Sequence, residues 1–181
     1  MEEKDRFRIL GRVAAVWGVI GVVLFIGWAI YRLIPRAVAV LDYELSLLQI
    51  VFVVFWVGFM IVSEGYRGFQ KAFAPRVVRR AVVLQEQKEP YLLILAPLMC
   101  MGYIHATRKR KIVSVSVTLA IVGLIVVVSQ FAQPWRGLVD LGVVLGLVYG
   151  VGSILIFGLL AIAGRVPDIP ADLPHHAELT K

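Results

Sequence analysis

The sequence predicts an all-α integral membrane protein, with four transmembrane helices arranged as two hairpins around a basic cytoplasmic segment. Three observations carry this prediction. Val13–Ile34, Leu45–Ser63, Ile112–Ala132 and Leu138–Ala163 are long apolar stretches, and about 20 such residues suffice for a helix to cross a hydrocarbon core of roughly 30 Å. Lys and Arg crowd onto only one set of their ends. The composition is 60% hydrophobic with a mean hydropathy of +0.85, well above the roughly 45–50% apolar content of soluble domains.

The chain divides into a cytoplasmic N-terminus (1–12), a first hairpin (13–63), a basic linker (64–111), a second hairpin (112–163) and a disordered cytoplasmic tail (164–181). The first stretch is too long for the apolar part of a cleaved signal, and no small-residue cleavage site follows it. It closes instead on Trp28, Tyr31 and Arg32, residue types that anchor helices at a headgroup boundary. The second stretch runs into Ser63–Glu64–Gly65–Tyr66–Arg67–Gly68, where two glycines invite a break.

Within the linker, Tyr66, Phe69 and Phe73 recur at helical spacing. After Pro75, the apolar Val77, Val78, Ala81 and Val82 oppose Arg76, Arg79 and Arg80. An apolar stripe backed by cations predicts an amphipathic helix lying on an anionic leaflet. The expected contacts with lipid headgroups or an acidic partner are Arg67, Lys71, Arg76, Arg79, Arg80, Arg108, Lys109, Arg110 and Lys111.

Tyr91–Ala106 is a fifth apolar run, short and interrupted by Pro97, which breaks or kinks a helix, and Gly102 lets a turn form. Short loops rich in Lys and Arg stay cytoplasmic. If the run turns back without crossing, only Arg32, Arg36 and Arg136 lie on the opposite side. If it crosses, Arg108–Lys111 join them and the sorting is lost. The segment is therefore read as re-entrant or interfacial, with a shallow helix flat against the leaflet as the simpler form. Both termini are then cytoplasmic, in a membrane of the bacterial inner type.

The last stretch places Gly142, Gly146 and Gly150 on one helical face. Small residues let helices approach closely in lipid, so this glycine zipper is the expected packing surface, within the chain or in a homo-oligomer or larger membrane complex. Arg36, Asp42, Glu44, Arg136 and Asp140 gather at the outer ends as a candidate ionic cluster. Deep polar residues are few: Gln49, Ser114, Ser116, Thr118, Ser129 and Ser153. Hydroxyls can bond a carbonyl one turn back and need no partner.

Nothing in the sequence forms a catalytic or metal motif. Cys100 and His105 are five residues apart and no acid orients the His, so Cys100 reads as a small buried hydrophobe. His175–His176 alone lacks the ligands a metal needs, and no cofactor is expected. The net charge of +7 follows the positive-inside rule and gives no independent support for nucleic-acid binding. The chemistry points to a non-catalytic scaffold or accessory subunit, with a small oligomeric transporter or channel as the alternative.

Overall fold

The computed structural model describes residues 2–86, 91 and 94–173, with side chains from Ile9 onward. Its helices are α1 (Glu2–Val38), α2 (Leu47–Met60), a π-helical segment (Ile61–Phe73), α3 (Ala74–Leu84), α4 (Ala96–Met101), α5 (Arg108–Ser129) and α6 (Trp135–Ile162). Four helical stretches are long and apolar enough to cross a membrane: Ile9–Asp42, Leu47–Leu84, Arg108–Ser129 and Trp135–Ile162.

The second of these does not end where its glycines invite it to. The backbone winds through Gly65 and Gly68 as 13 residues of π-helix and passes directly into α3. Two glycines permit a break but do not compel one when the next apolar face has somewhere to pack. The wider π period has local consequences. Lys71 lies 4.6 Å over the Tyr66 ring, a pairing of residues i and i+5 that α spacing would keep apart.

The helices do not pack as two hairpin pairs. α6 is central and lies against α1, α2, the π segment and α3, whereas α1 and α2 share a turn but little contact. Val22, Ala74, Val77, Ala81, Cys100 and Ile154 meet in the main apolar core. α2 begins with a capping box in which Ser46 and Gln49 satisfy each other's backbone N–H groups. Gln49 therefore caps a helix end and is not a deep polar group.

α5 is the exception to this packing. Its basic end is tied down by Ser114 Oγ donating to Met101 O at 3.1 Å and by a hydrogen bond between the Tyr103 and Thr118 hydroxyls. Beyond Thr118 it stands clear: every residue from Leu119 to Val127 is exposed, and no neighbour comes near Gly123. Contact with α6 is slight.

α4 is not a flat surface helix. Ala96, Met99 and Cys100 are buried, and the segment is inserted against α1. A Cβ at Gly18 would stand 2.7 Å from Cys100 Sγ, and one at Gly21 would collide with the Pro97 ring. Gly21 lies near the middle of the first apolar stretch, so the segment reaches well into the bundle. Gly102 ends it in the left-handed conformation at φ +86°, with Tyr103 N donating to Leu98 O at 3.0 Å. This closing turn satisfies carbonyls that α4 leaves free.

Candidate functional site

α3 carries the amphipathic stripe, but protein covers it. Val77, Val78, Ala81 and Leu84 are buried against α1, α4 and α6, and Val82 is half-buried. The expectation of a lipid-facing stripe is corrected here. Periodicity reveals one apolar face, and the inserted α4 supplies a cover that periodicity cannot report.

The nine basic residues of the expected platform separate into three sets by burial. Arg67, Lys71, Arg108, Lys109 and Lys111 are exposed, Arg76, Arg79 and Arg110 are half-buried, and Arg80 is wholly buried. The Arg80 guanidinium donates to Met99 O at 2.8 Å and to Asp172 O at 3.2 Å. Arg76 Nη1 donates to Ala72 O at 2.7 Å, and its Nε lies 3.8 Å from an Asp172 carboxylate oxygen. Arg110 lies against the Gly102 turn, its Nε 3.1 Å from where a Cβ on Gly102 would stand. The Nε groups of Arg79, Arg80 and Arg110 are buried without a hydrogen-bond partner.

Asp172 belongs to the tail expected to be disordered. Its described part instead runs back over the bundle: Thr107 N donates to Asp172 O at 2.8 Å, and Leu173 packs with Ala14, Leu84, Ala96 and Met99. Asp172 adopts φ +53°, which Asp tolerates better than most residues. His175–His176 lies outside the described residues.

A second polar arrangement lies on the glycine face. Gly142, Gly146 and Gly150 are buried, but they receive side chains and not a second helix backbone. Gly142 faces Trp56, and a Cβ at Gly146 would stand 2.8 Å from Glu64 Oε2. At Gly150 it would stand 2.5 Å from the Phe69 ring. The face spaced by four residues is thus filled from positions 56, 64 and 69, the last displaced by the π winding. Glu64 Oε2 is buried with no hydrogen-bond partner. Beside it, Tyr149 hydrogen-bonds Gln70, and Ser153 donates to Tyr149 O at 3.0 Å, the one-turn bond expected of a span hydroxyl.

The turn end is held by an amide that sequence reasoning missed. Gln133 donates to Arg36 O at 3.4 Å and accepts from Gly137 N at 3.1 Å, joining the two turns. Trp56 Nε1 adds a bond to Val139 O at 3.0 Å. Asp42 and Glu44 are exposed, Asp140 is buried with Oδ2 unpartnered, and Arg136 donates to Ser129 O at 3.4 Å. Among the described residues, no two of Arg36, Asp42, Glu44, Arg136 and Asp140 approach within ion-pair distance; the ion pair found is Arg76–Asp172. The two turns are thus joined by a hydrogen-bonded glutamine, while Asp140 lies within electrostatic reach of Arg36 and Arg136 without a salt bridge to either.

Cys100 is buried beside Gly18, and burial pushes its thiol up to about 12, far from the thiolate a nucleophile needs. His105, in the left-handed region at φ +48°, follows the Gly102 turn. Among the described residues no group of three His, Cys, Asp or Glu side chains is placed to hold a metal. Two surface hollows, one along α2 and the π segment and one between Gln70 and Phe157, are open and mainly apolar. No known protein family, characterised protein or solved structure matches this chain.

Proposed function

We propose that this protein is a non-catalytic scaffold or accessory subunit of an inner-membrane assembly, with both termini and the basic end of the bundle in the cytoplasm. The observation that carries the reading is α5, whose apolar surface from Leu119 to Val127 is exposed on all sides while its basic end is fixed. In lipid, hydrophobicity does not draw helices together; close side-chain packing does. A span held at one end and free along its length is available to a partner helix without unpacking the core.

The test is photo-crosslinking in intact membranes from a probe at Leu124, with a probe at Phe25 on α1 as the comparison. A discrete higher-mass adduct from Leu124, absent from Phe25, is expected. Labelling of lipid alone from both positions would sink the reading.

A transporter or channel is the second reading, favoured by Glu64 opposite Gly146 near the middle of α6. Flux in liposomes reconstituted with this chain alone, abolished by Glu64→Gln, would establish it over the scaffold.

The cytoplasmic assignment makes its own prediction. In a Cys100→Ala background, cysteines at Glu86 and Arg108, both exposed, should react with an impermeant maleimide only after the inner face is opened. Reaction of Arg108→Cys from outside would place a crossing between the two and overturn the four-span topology.

A further inference from the structure

The scaffold reading makes the basic end a lipid-facing platform, yet the best-built group there is turned inward. Arg76, Arg80 and Arg110 lie close enough to act electrostatically on one another and on Asp172. Three guanidiniums thus share one carboxylate, which reaches Arg76 only at 3.8 Å. Arg80 is wholly buried, and the Nε groups of Arg80 and Arg110 have no partner. Buried charge is costly unless paired and hydrogen-bonded, and one carboxylate does not balance three guanidiniums. Arg76 and Arg80 approach from α3 and Arg110 from α5, around the turn that ends α4. Guanidinium forks of this kind suit the oxygens of phosphate.

The internal carboxylate is held lightly. Asp172 sits in a left-handed conformation on an irregular strap, anchored by Thr107 N–H, Arg80 and the packing of Leu173. Release of the strap would open the cluster without disturbing the α1–α6 core. Arg80 is wholly buried, so a single phosphate group suits the arrangement better than an acidic protein surface, which could not reach it.

We propose that Arg76, Arg80 and Arg110 form a partly buried phosphate-binding site, and that Asp172 is a built-in occupant which a phosphate group displaces. The inference rests on the scaffold reading only for placing this site at the headgroup level. That reading fails or survives at the Leu124 crosslink, which this site does not touch.

The experiment uses the delipidated full chain in detergent. Thermal midpoints are followed while titrating inorganic phosphate, phosphatidic acid, or diacylglycerol as the same lipid without its phosphate, at matched ionic strength. Wild type should be stabilised by a phosphate-bearing ligand and not by diacylglycerol. Asp172→Asn should respond at roughly tenfold lower concentration, the equivalent of one lost competing contact, and Arg110→Gln should lose the response. Stabilisation by phosphatidic acid alone assigns the site to a headgroup; stabilisation by inorganic phosphate alone assigns it to a soluble ligand. Equal effects of phosphatidic acid and diacylglycerol, with no response of Asp172→Asn to inorganic phosphate, would overturn the site and leave Asp172 as a strap anchor.

Discussion

Arg80→Ala is expected to lower the thermal midpoint of the purified protein more than any other single truncation at the basic end. Arg80 heads the largest fully buried side chains, and its removal empties the junction of α3, α4 and the strap. Large-to-Ala changes in well-packed interiors cost about 2–5 kcal/mol. The lower part of that range is expected, because Met99 O keeps Gly102 N–H and Asp172 O keeps Thr107 N–H as donors. Loss of one of three crowded cations offsets part of the cost. Arg80→Met isolates that offset: it fills most of the volume without the charge, so it should lie between wild type and Arg80→Ala. At roughly 2–4 °C per kcal/mol for a chain of this length, the Ala variant should be easily resolved in a thermal scan. A midpoint unchanged in Arg80→Ala would mean that the guanidinium is not packed between α4 and the strap.

The second large effect is expected on the glycine face. Gly150→Leu drives a branched side chain into the Phe69 ring, itself set edge-on to Phe73 at a centroid distance of 5.5 Å. Neither ring can yield without disturbing the core beneath it. Overpacking of this kind costs about 1–3 kcal/mol. Gly146→Leu should be milder, since it meets the end of the flexible Glu64 side chain. Gly152→Leu has open space and should be nearly silent apart from a small gain in helix propensity. The expected order of midpoints is Gly152→Leu, then Gly146→Leu, then Gly150→Leu. Equal midpoints for the changes at 150 and 152 would rule out the packed face.

The four apolar helices, the buried small-residue face and the turn at Gly102 were legible because each depends on residue type at short range. Hydropathy finds long apolar helices, spacing finds the glycine face, and the need for positive φ finds the glycine that ends α4. The packing was less legible for a physical reason. In water an apolar stripe faces protein, whereas in lipid both environments are apolar and the stripe no longer says which it meets. Val77, Val78 and Ala81 therefore read as a membrane-facing surface although α4 covers them. Arg80 was hidden in a run of cations that the positive-inside rule already accounts for. Gln133 carried no signal at all, since a lone amide beside a proline has no period and no motif. The docking of Asp172 depends on contacts with Arg76, Arg80 and Thr107, 65 to 96 residues away, beyond the reach of any local pattern.

The π winding from Ile61 to Phe73 has a further meaning for how this helix tolerates change. Regular α winding would bring position 67 or 68 opposite Gly150 after Glu64 had met Gly146; the looser coil brings Phe69 there and leaves Arg67 outside. The segment behaves as a gear between two helices of different phase. Ahead of it, α2 meets α6 through Trp56; behind it, α3 must present Val77 and Ala81 inward and bring Arg80 beneath α4. Loss of one residue within the gear would turn α3 by about 100°, one residue's share of a 3.6-residue turn. Every contact that α3 makes would fall out of step at once, although no contacting residue had been altered. Length, as much as residue identity, is what this stretch of chain holds constant.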